Sequence, residues 1–280
     1  MYFIGKFMCQ IWRIFFDNQL SMILTRLEAI HEKLIRLKMV NPMKMKINRY
    51  FIIGIIANVI AYVITPILWV IIQTRFNEQI MGIMLFLNVC QCVGFNEYIL
   101  LISYIKWLVY MINEQIPERR SCLSTLRDMY LEVIECLHQV NRSIYGLPVI
   151  VVFIAGNVSD IIANIYTSVL FPRDYIVNPY LVFAFKDLLM KTANILILYM
   201  IGHTTEKEIN RMSDVLHRRS VIERNPRIKR QIKFFLLRRL HEHFHFELYG
   251  MCRINLRQLH NLSNTAIGYL VIQILFKLNN

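Results

Sequence analysis

Charge is sparse in this chain of 280 residues: charged side chains make up 18% of it, below the roughly 25% of an average soluble domain. Acids are the rarer sign, with 19 Asp and Glu against 32 Lys and Arg. The nine glycines form no phosphate-cradling loop, and no nucleophile elbow or kinase signature is present. The common nucleotide-dependent and acyl-transfer chemistries therefore have no foothold, and no cofactor is expected. The apolar stub Met1–Phe16 lacks the small-residue cleavage site of a signal peptide. Internal repeats of the kind that mark secondary transporters are also missing.

What the chain has is hydrophobic length. It is 56% hydrophobic, with a mean hydropathy of +0.41. A helix needs about 20 mostly apolar residues to cross a hydrocarbon layer of roughly 30 Å. Four blocks meet that length: Tyr50–Gln73, Ile80–Ile105, Tyr145–Phe171 and Pro179–Gly202. A fifth, Leu259–Phe276, is shorter, and its first half carries His260, Asn261, Ser263, Asn264 and Thr265. In lipid such a half needs protein or water around it.

A net charge of +13 suggests nucleic acid in a soluble chain, but its placement here reads as topology. Met1–Arg49 holds 9 Lys and Arg, Lys106–Ile144 holds 5, and His203–Gln258 holds 13. The alternate side has Arg75, Arg173 and Lys277. Basic loops stay cytoplasmic, so five spans put the N-terminus inside and the C-terminus outside. A G-protein-coupled receptor, with its C-terminus inside, is disfavoured. Membrane lipids are partners, and nucleic acid is not. None of the six cysteines falls in an outside loop, so free thiols are expected.

The expected fold class is all-α: a polytopic membrane helical bundle with long cytoplasmic helical extensions. Residues 1–49 form a cytoplasmic N-terminal segment, and 50–202 hold four spans with a cytoplasmic loop at 106–144. Residues 203–258 make a cytoplasmic helical anchor region, and 259–280 the last span with a short extracellular end. In the first segment Leu20, Ile23, Leu24, Leu27, Ile30, Leu34 and Leu37 recur at helical steps over Asp17–Val40 until Asn41-Pro42. Leu123, Leu126, Tyr130, Val133, Ile134 and Leu137 make a second stripe, read as a continuation of the preceding span. The region 204–258 splits at Asn225-Pro226, and Ile228–Tyr249 reads as one basic, aromatic helix. Such stripes either lie on anionic headgroups or pack together below the bilayer.

Two constellations bear on chemistry. His241-Glu242-His243-Phe244-His245 fits H-E-x-x-H. On a helix His241 and His245 share a face and can hold zinc while Glu242 activates water, the pattern of a membrane metallopeptidase. No third protein ligand is evident, so no metal is assigned. The second constellation is intramembrane charge, which is costly enough to suggest a role. Asp160 lies deep in the third full-length block, while Lys186, Asp187 and Lys191 lie in the fourth. Asp187 and Lys191 are spaced to pair along one helix face, and Lys186 lies at a depth that suits Asp160. These four are the candidate ligand-pocket residues.

The final block supplies a resemblance. Gly268-Tyr269-Leu270-Val271-Ile272-Gln273-Ile274-Leu275-Phe276 resembles the last-span signature of insect gustatory receptors: Thr-Tyr, five apolar residues, then Gln-Phe. Upstream, His241, Phe246, Gly250, Ile254 and Leu256 match that family's lead-in, and Asn141 and Gly146 match its approach to the antepenultimate span. Gly268 stands where the signature has Thr, Leu275 where it has Gln, and Gln273 comes two residues early. The family usually has two spans before Tyr50–Gln73, so the chain is expected to be an N-terminally short member, with 1–49 including the tail of a missing span. The resemblance implies a ligand-gated, non-selective cation channel of the plasma membrane, a homo- or hetero-tetramer around the last span, opened by a small-molecule tastant or odorant. Tyr269, Ile272, Gln273 and Phe276 share one helical face and are the expected pore-lining residues.

The charge distribution makes a direct prediction. A tag after Asn280 is labelled on intact cells, and a tag at Met1 only after permeabilisation; labelling of both ends from outside contradicts the five-span topology.

Overall fold

The computed structural model of the protein describes residues 2–36, 78–118, 123–144, 150–170, 180–240, 244–248, 250 and 252–278, with the isolated residues 56, 58, 60 and 64. The expected span Tyr50–Gln73 lies largely outside these residues. Helix α1 runs Tyr2–Arg36. The sequence suggested a stub and a separate helix, but Asp17 and Asn18 sit inside one continuous helix. Nothing at that point removes a backbone donor or forces a turn. Ile23, Leu27, Ile30 and Leu34 form its fully buried face, and Lys33 and Arg36 complement the helix dipole in its last turn.

Helix α2, Glu78–Glu118, is about 60 Å long, twice the hydrocarbon thickness. Phe95, Tyr98, Ile102, Ile105, Val109, Ile112 and Ile116 are buried along it at alternating three- and four-residue steps. That spacing keeps one seam in contact with a neighbour over the whole length. The segment Cys92–Pro117 is apolar and long enough to cross a membrane, and most of it is buried in the bundle. Helix α2 ends at Glu118. Helix α3, Leu123–Gln139, is therefore separate rather than a continuation of α2. Its buried stripe is Leu123, Leu126, Tyr130, Val133 and Leu137. A π-helical turn, Val140–Ile144, follows, and Tyr98 of α2 donates to Asn141 Oδ1 within it at 3.0 Å. Burial pushes the Cys136 thiol of α3 up to about 11, so it stays protonated and inert at neutral pH. Among the described residues, Cys92 and Cys136 are buried and neither forms a disulfide.

Helix α4 spans Val152–Leu170 and helix α5 Tyr180–Ile222; the latter is about 65 Å long. Helix α6, Pro226–Leu240, starts where Asn225 Oδ1 accepts the Arg227 N–H at 3.0 Å. Asn at the cap and Pro at the first helical position are favoured start signals. The helix expected to run to Tyr249 ends at Leu240. Beyond it Phe244, Phe246 and Leu248 are buried while His245 and Glu247 are less so, a two-residue alternation that suits extended chain. Strands β1, Glu247–Leu248, and β2, Cys252–Arg253, pair antiparallel. Gly250 turns between them at φ 69°, in the left-handed region that favours glycine. Helix α7, Leu256–Leu278, completes the chain. Among the described residues the architecture is thus an all-α bundle apart from this hairpin of two-residue strands.

The lengths of α2 and α5 create a second layer beyond the span-length helices. There Ile209, Met212 and Leu216 of α5 join Ile232 and Phe235 of α6 and the hairpin's Phe244 and Phe246 in one buried core with α1, α2 and α3. Directed polar bonds fix the register. Asn113 of α2 donates to the carbonyl and carboxylate of Glu208 at 2.9 and 3.0 Å, and Tyr130 donates to Ile209 O at 2.9 Å. Arg211 pairs with Glu114 at 2.7 Å, and Arg219 donates to the carbonyl of Ile116.

Gly202 marks a close approach between α5 and the chain leading into α7. A Cβ placed there would lie 2.6 Å from both Ile254 Cγ2 and its carbonyl oxygen. Backbone cannot yield as a side-chain tip does, so Gly202→Ala is predicted to cost about 1–3 kcal/mol, the usual toll of overpacking. The thermal midpoint of detergent-purified protein checks this, and an unchanged midpoint contradicts it.

Candidate ligand site and pore face

Polar side chains on the upper part of α5 recur at one face: Asp187, Lys191 and Asn194. Lys191 Nζ reaches Asp160 Oδ2 of α4 at 2.7 Å and Asp187 Oδ2 of its own helix at 2.5 Å. Its side chain is 12% exposed, against 31% for Asp160 and 38% for Asp187. Asp160–Lys191 is thus an ion pair that crosses between α4 and α5, one that depth along the sequence, which suggested Lys186, did not single out. Depth orders residues along the membrane normal but does not say which face they occupy. Lys186 is half-buried.

Asn194 was not singled out from sequence. It is buried and accepts a 2.8 Å hydrogen bond from Asn58 Nδ2, itself buried. An Asn within each of two apolar blocks was the available signal, because a buried amide in hydrocarbon needs a partner.

Lower on α5, Glu206 and Asn210 hold the hairpin, a role that sequence reasoning also missed. Asn210 Nδ2 donates to Phe244 O at 3.1 Å, its Oδ1 accepts from Phe244 N at 3.3 Å, and Glu206 Oε2 accepts from Phe246 N at 3.2 Å. One helical turn separates the two side chains, so together they clamp an extended backbone. Their i, i+4 spacing was visible, but nothing in the sequence identified backbone amides as the partner. Glu206 also lies 3.6 Å from His245. His245 stands in extended chain beyond α6, which removes the shared helix face that a His241–His245 zinc pair requires. His241 and Glu242 lie outside the described residues.

Among the described residues helix α7 packs by one face. Leu259, Leu262, Ala266, Leu270, Gln273 and Ile274 are half-buried toward α4 and α5. Ile267, Tyr269, Val271, Ile272, Leu275 and Phe276 are each about half exposed or more. Of the expected pore face, Tyr269, Ile272 and Phe276 are on the exposed arc, and Gln273 lies where that arc meets the packed face. In the polar half, Ser263 and Thr265 donate to the carbonyls of Leu259 and Asn261 at 2.9 and 3.0 Å. Asn264 and His260 meet at 3.2 Å. A contiguous apolar arc of this size marks a surface that lipid or protein covers.

The family described as 7tm Chemosensory receptor matches residues 1–280. Among solved structures, the chain is similar to the insect olfactory receptor OR5 from Machilis hrabei, with a TM-score of 0.69 at 12% identity. That likeness covers 97% of this chain and 78% of the receptor chain. No curated protein sequence matches.

The charge trio yields a test. Lys191→Met leaves two carboxylates close together, a penalty of about 3 kcal/mol for a charge in the membrane, and surface expression falls. Adding Asp160→Asn and Asp187→Asn restores it. A further, additive loss in the triple variant contradicts the pairing.

Proposed function

The chain belongs to the 7tm chemosensory receptor family, and from that premise we propose that it is a gustatory-receptor-type subunit of a ligand-gated, non-selective cation channel. Receptors of this family are multi-pass membrane proteins, and the plasma membrane is the compartment that a receptor of external chemicals requires. Four copies, identical or related, surround an axis lined by α7. The N-terminus is cytoplasmic and the C-terminus extracellular, as the basic loops favour.

The observation that carries this reading is the one-sided packing of α7. Its exposed arc is too apolar to face water alone, and it lies on the helix that resembles the family's last span. Copies meeting around an axis would enclose that arc. Ile272 and Phe276 would form constrictions that gate by dewetting, and the Gln273 amide at the border would offer a polar contact to a hydrated cation. A small tastant or odorant would bind among the spans, with Asp160, Lys186, Asp187 and Lys191 as the polar wall. Helix α5 links that wall to the pore helix. It carries Lys191 above, and its Glu206 and Asn210 below hold the hairpin from which α7 starts.

Cysteine scanning tests this in a conducting assembly. Cysteines at positions 269, 272, 273 and 276 are modified by aqueous thiol reagents in a ligand-dependent way, with conductance falling several-fold. Cysteines at 270 and 274, toward the packed face, react far less. Uniform protection of the first set places another helix at the pore.

A further inference from the structure

Behind α7, on the side away from the proposed pore face, lies a cavity of about 250 Å³ between α4, α5 and α7. Its walls include Ile161 and Ile165 of α4, Thr192 and Ile195 of α5, and Ser263 and Ala266 of α7. The Asp160–Lys191 ion pair bridges the same two helices, α4 and α5, but neither residue lines the hollow. The cavity is thus distinct from the charged cluster. Its two hydroxyls offer no free donor: Thr192 Oγ1 donates to Leu188 O at 2.8 Å and Ser263 Oγ to Leu259 O at 2.9 Å. Every other wall residue is aliphatic.

We propose that this cavity is a binding site for a small, uncharged, compact hydrocarbon-like molecule, separate from the Asp160–Lys191 site. The chemistry of the walls excludes ions and headgroups, because a charge there would lose its hydration with nothing in exchange. Size sets the rest. A dry aliphatic cavity of about 150 Å³ accommodates benzene, so this one accommodates roughly ten non-hydrogen atoms by proportion. Lipid tails already solvate apolar side chains, so the gain on binding is contact with walls on three sides rather than escape from water. A rigid ring makes those contacts with few rotors to freeze, whereas a flexible acyl tail loses conformational freedom when confined. The occupant touches α4, α5 and α7 together, and so braces the packed face of α7 from behind.

The test uses the full chain in detergent, with p-cymene, an alkylbenzene of suitable size, as probe and the thermal midpoint as readout. Wild-type protein is expected to show a saturable upward shift of about 3 °C. Ala266→Leu on α7 and Ile162→Phe on α4 fill the hollow from different walls. Each is expected to abolish the shift, and whichever variant folds is informative. An absent wild-type shift, or an unchanged shift in a folded variant, overturns the proposal. So does native mass spectrometry that finds phospholipid retained by wild-type protein and lost from the variants, since the occupant would then be a lipid tail. No conductance is read, so this result is independent of the channel proposal.

Discussion

A polar group on a helix in an apolar setting must find a partner, and along most of its 43 residues α5 carries groups that find theirs on other elements. Lys191 takes Asp160 of α4, Asn194 takes Asn58, and Glu206 with Asn210 takes the hairpin backbone. Glu208 takes Asn113 of α2, the carbonyl of Ile209 takes Tyr130 of α3, and Arg219 takes the carbonyl of Ile116. Apolar packing alone would tolerate sliding of one helix past another. These directed bonds, each costly to leave unmade, set one register between α5 and its neighbours. With Gly202 pressed against Ile254, they also fix where the chain re-enters the bundle as α7.

That arrangement has a mechanical consequence. One rigid helix touches the charged cluster at its upper part and the base of α7 at its lower part. If the proposed ligand shifts Lys191 or Asp187, α5 offers a continuous helical route to the last helix. Coupling of this kind needs two discrete arrangements of an element. The one-sided packing of α7 suits that element to adopting a second one, because among the described residues α4 and α5 are its main supports.

Much of this was legible in the sequence because local periodicity is a local property. The stripe of Ile23, Leu27, Ile30 and Leu34 and that of Leu123, Leu126, Tyr130, Val133 and Leu137 were read at helical steps, and both are buried. The features that were misread depend on partners distant in the chain. The basic run after Ile228 reads as helix by composition, yet its end is drawn into a hairpin by Glu206, Asn210 and the left-handed Gly250. The contact of Asp160 with Lys191 was missed for a similar reason: it depends on how α4 and α5 rotate against each other, which depth along the chain does not encode. The cavity behind α7 was not visible at all, since it arises from the small side chains of Ser263 and Ala266 facing two other helices.

The central claim is that the apolar arc of α7 faces copies of itself around a conducting axis. A single-particle reconstruction of the purified chain in lipid nanodiscs tests it most directly. The account predicts a four-fold assembly with Ile272 and Phe276 nearest the axis and α4 and α5 behind them. An isolated subunit, or an assembly in which the α7 arc faces lipid while another helix surrounds the axis, would contradict it.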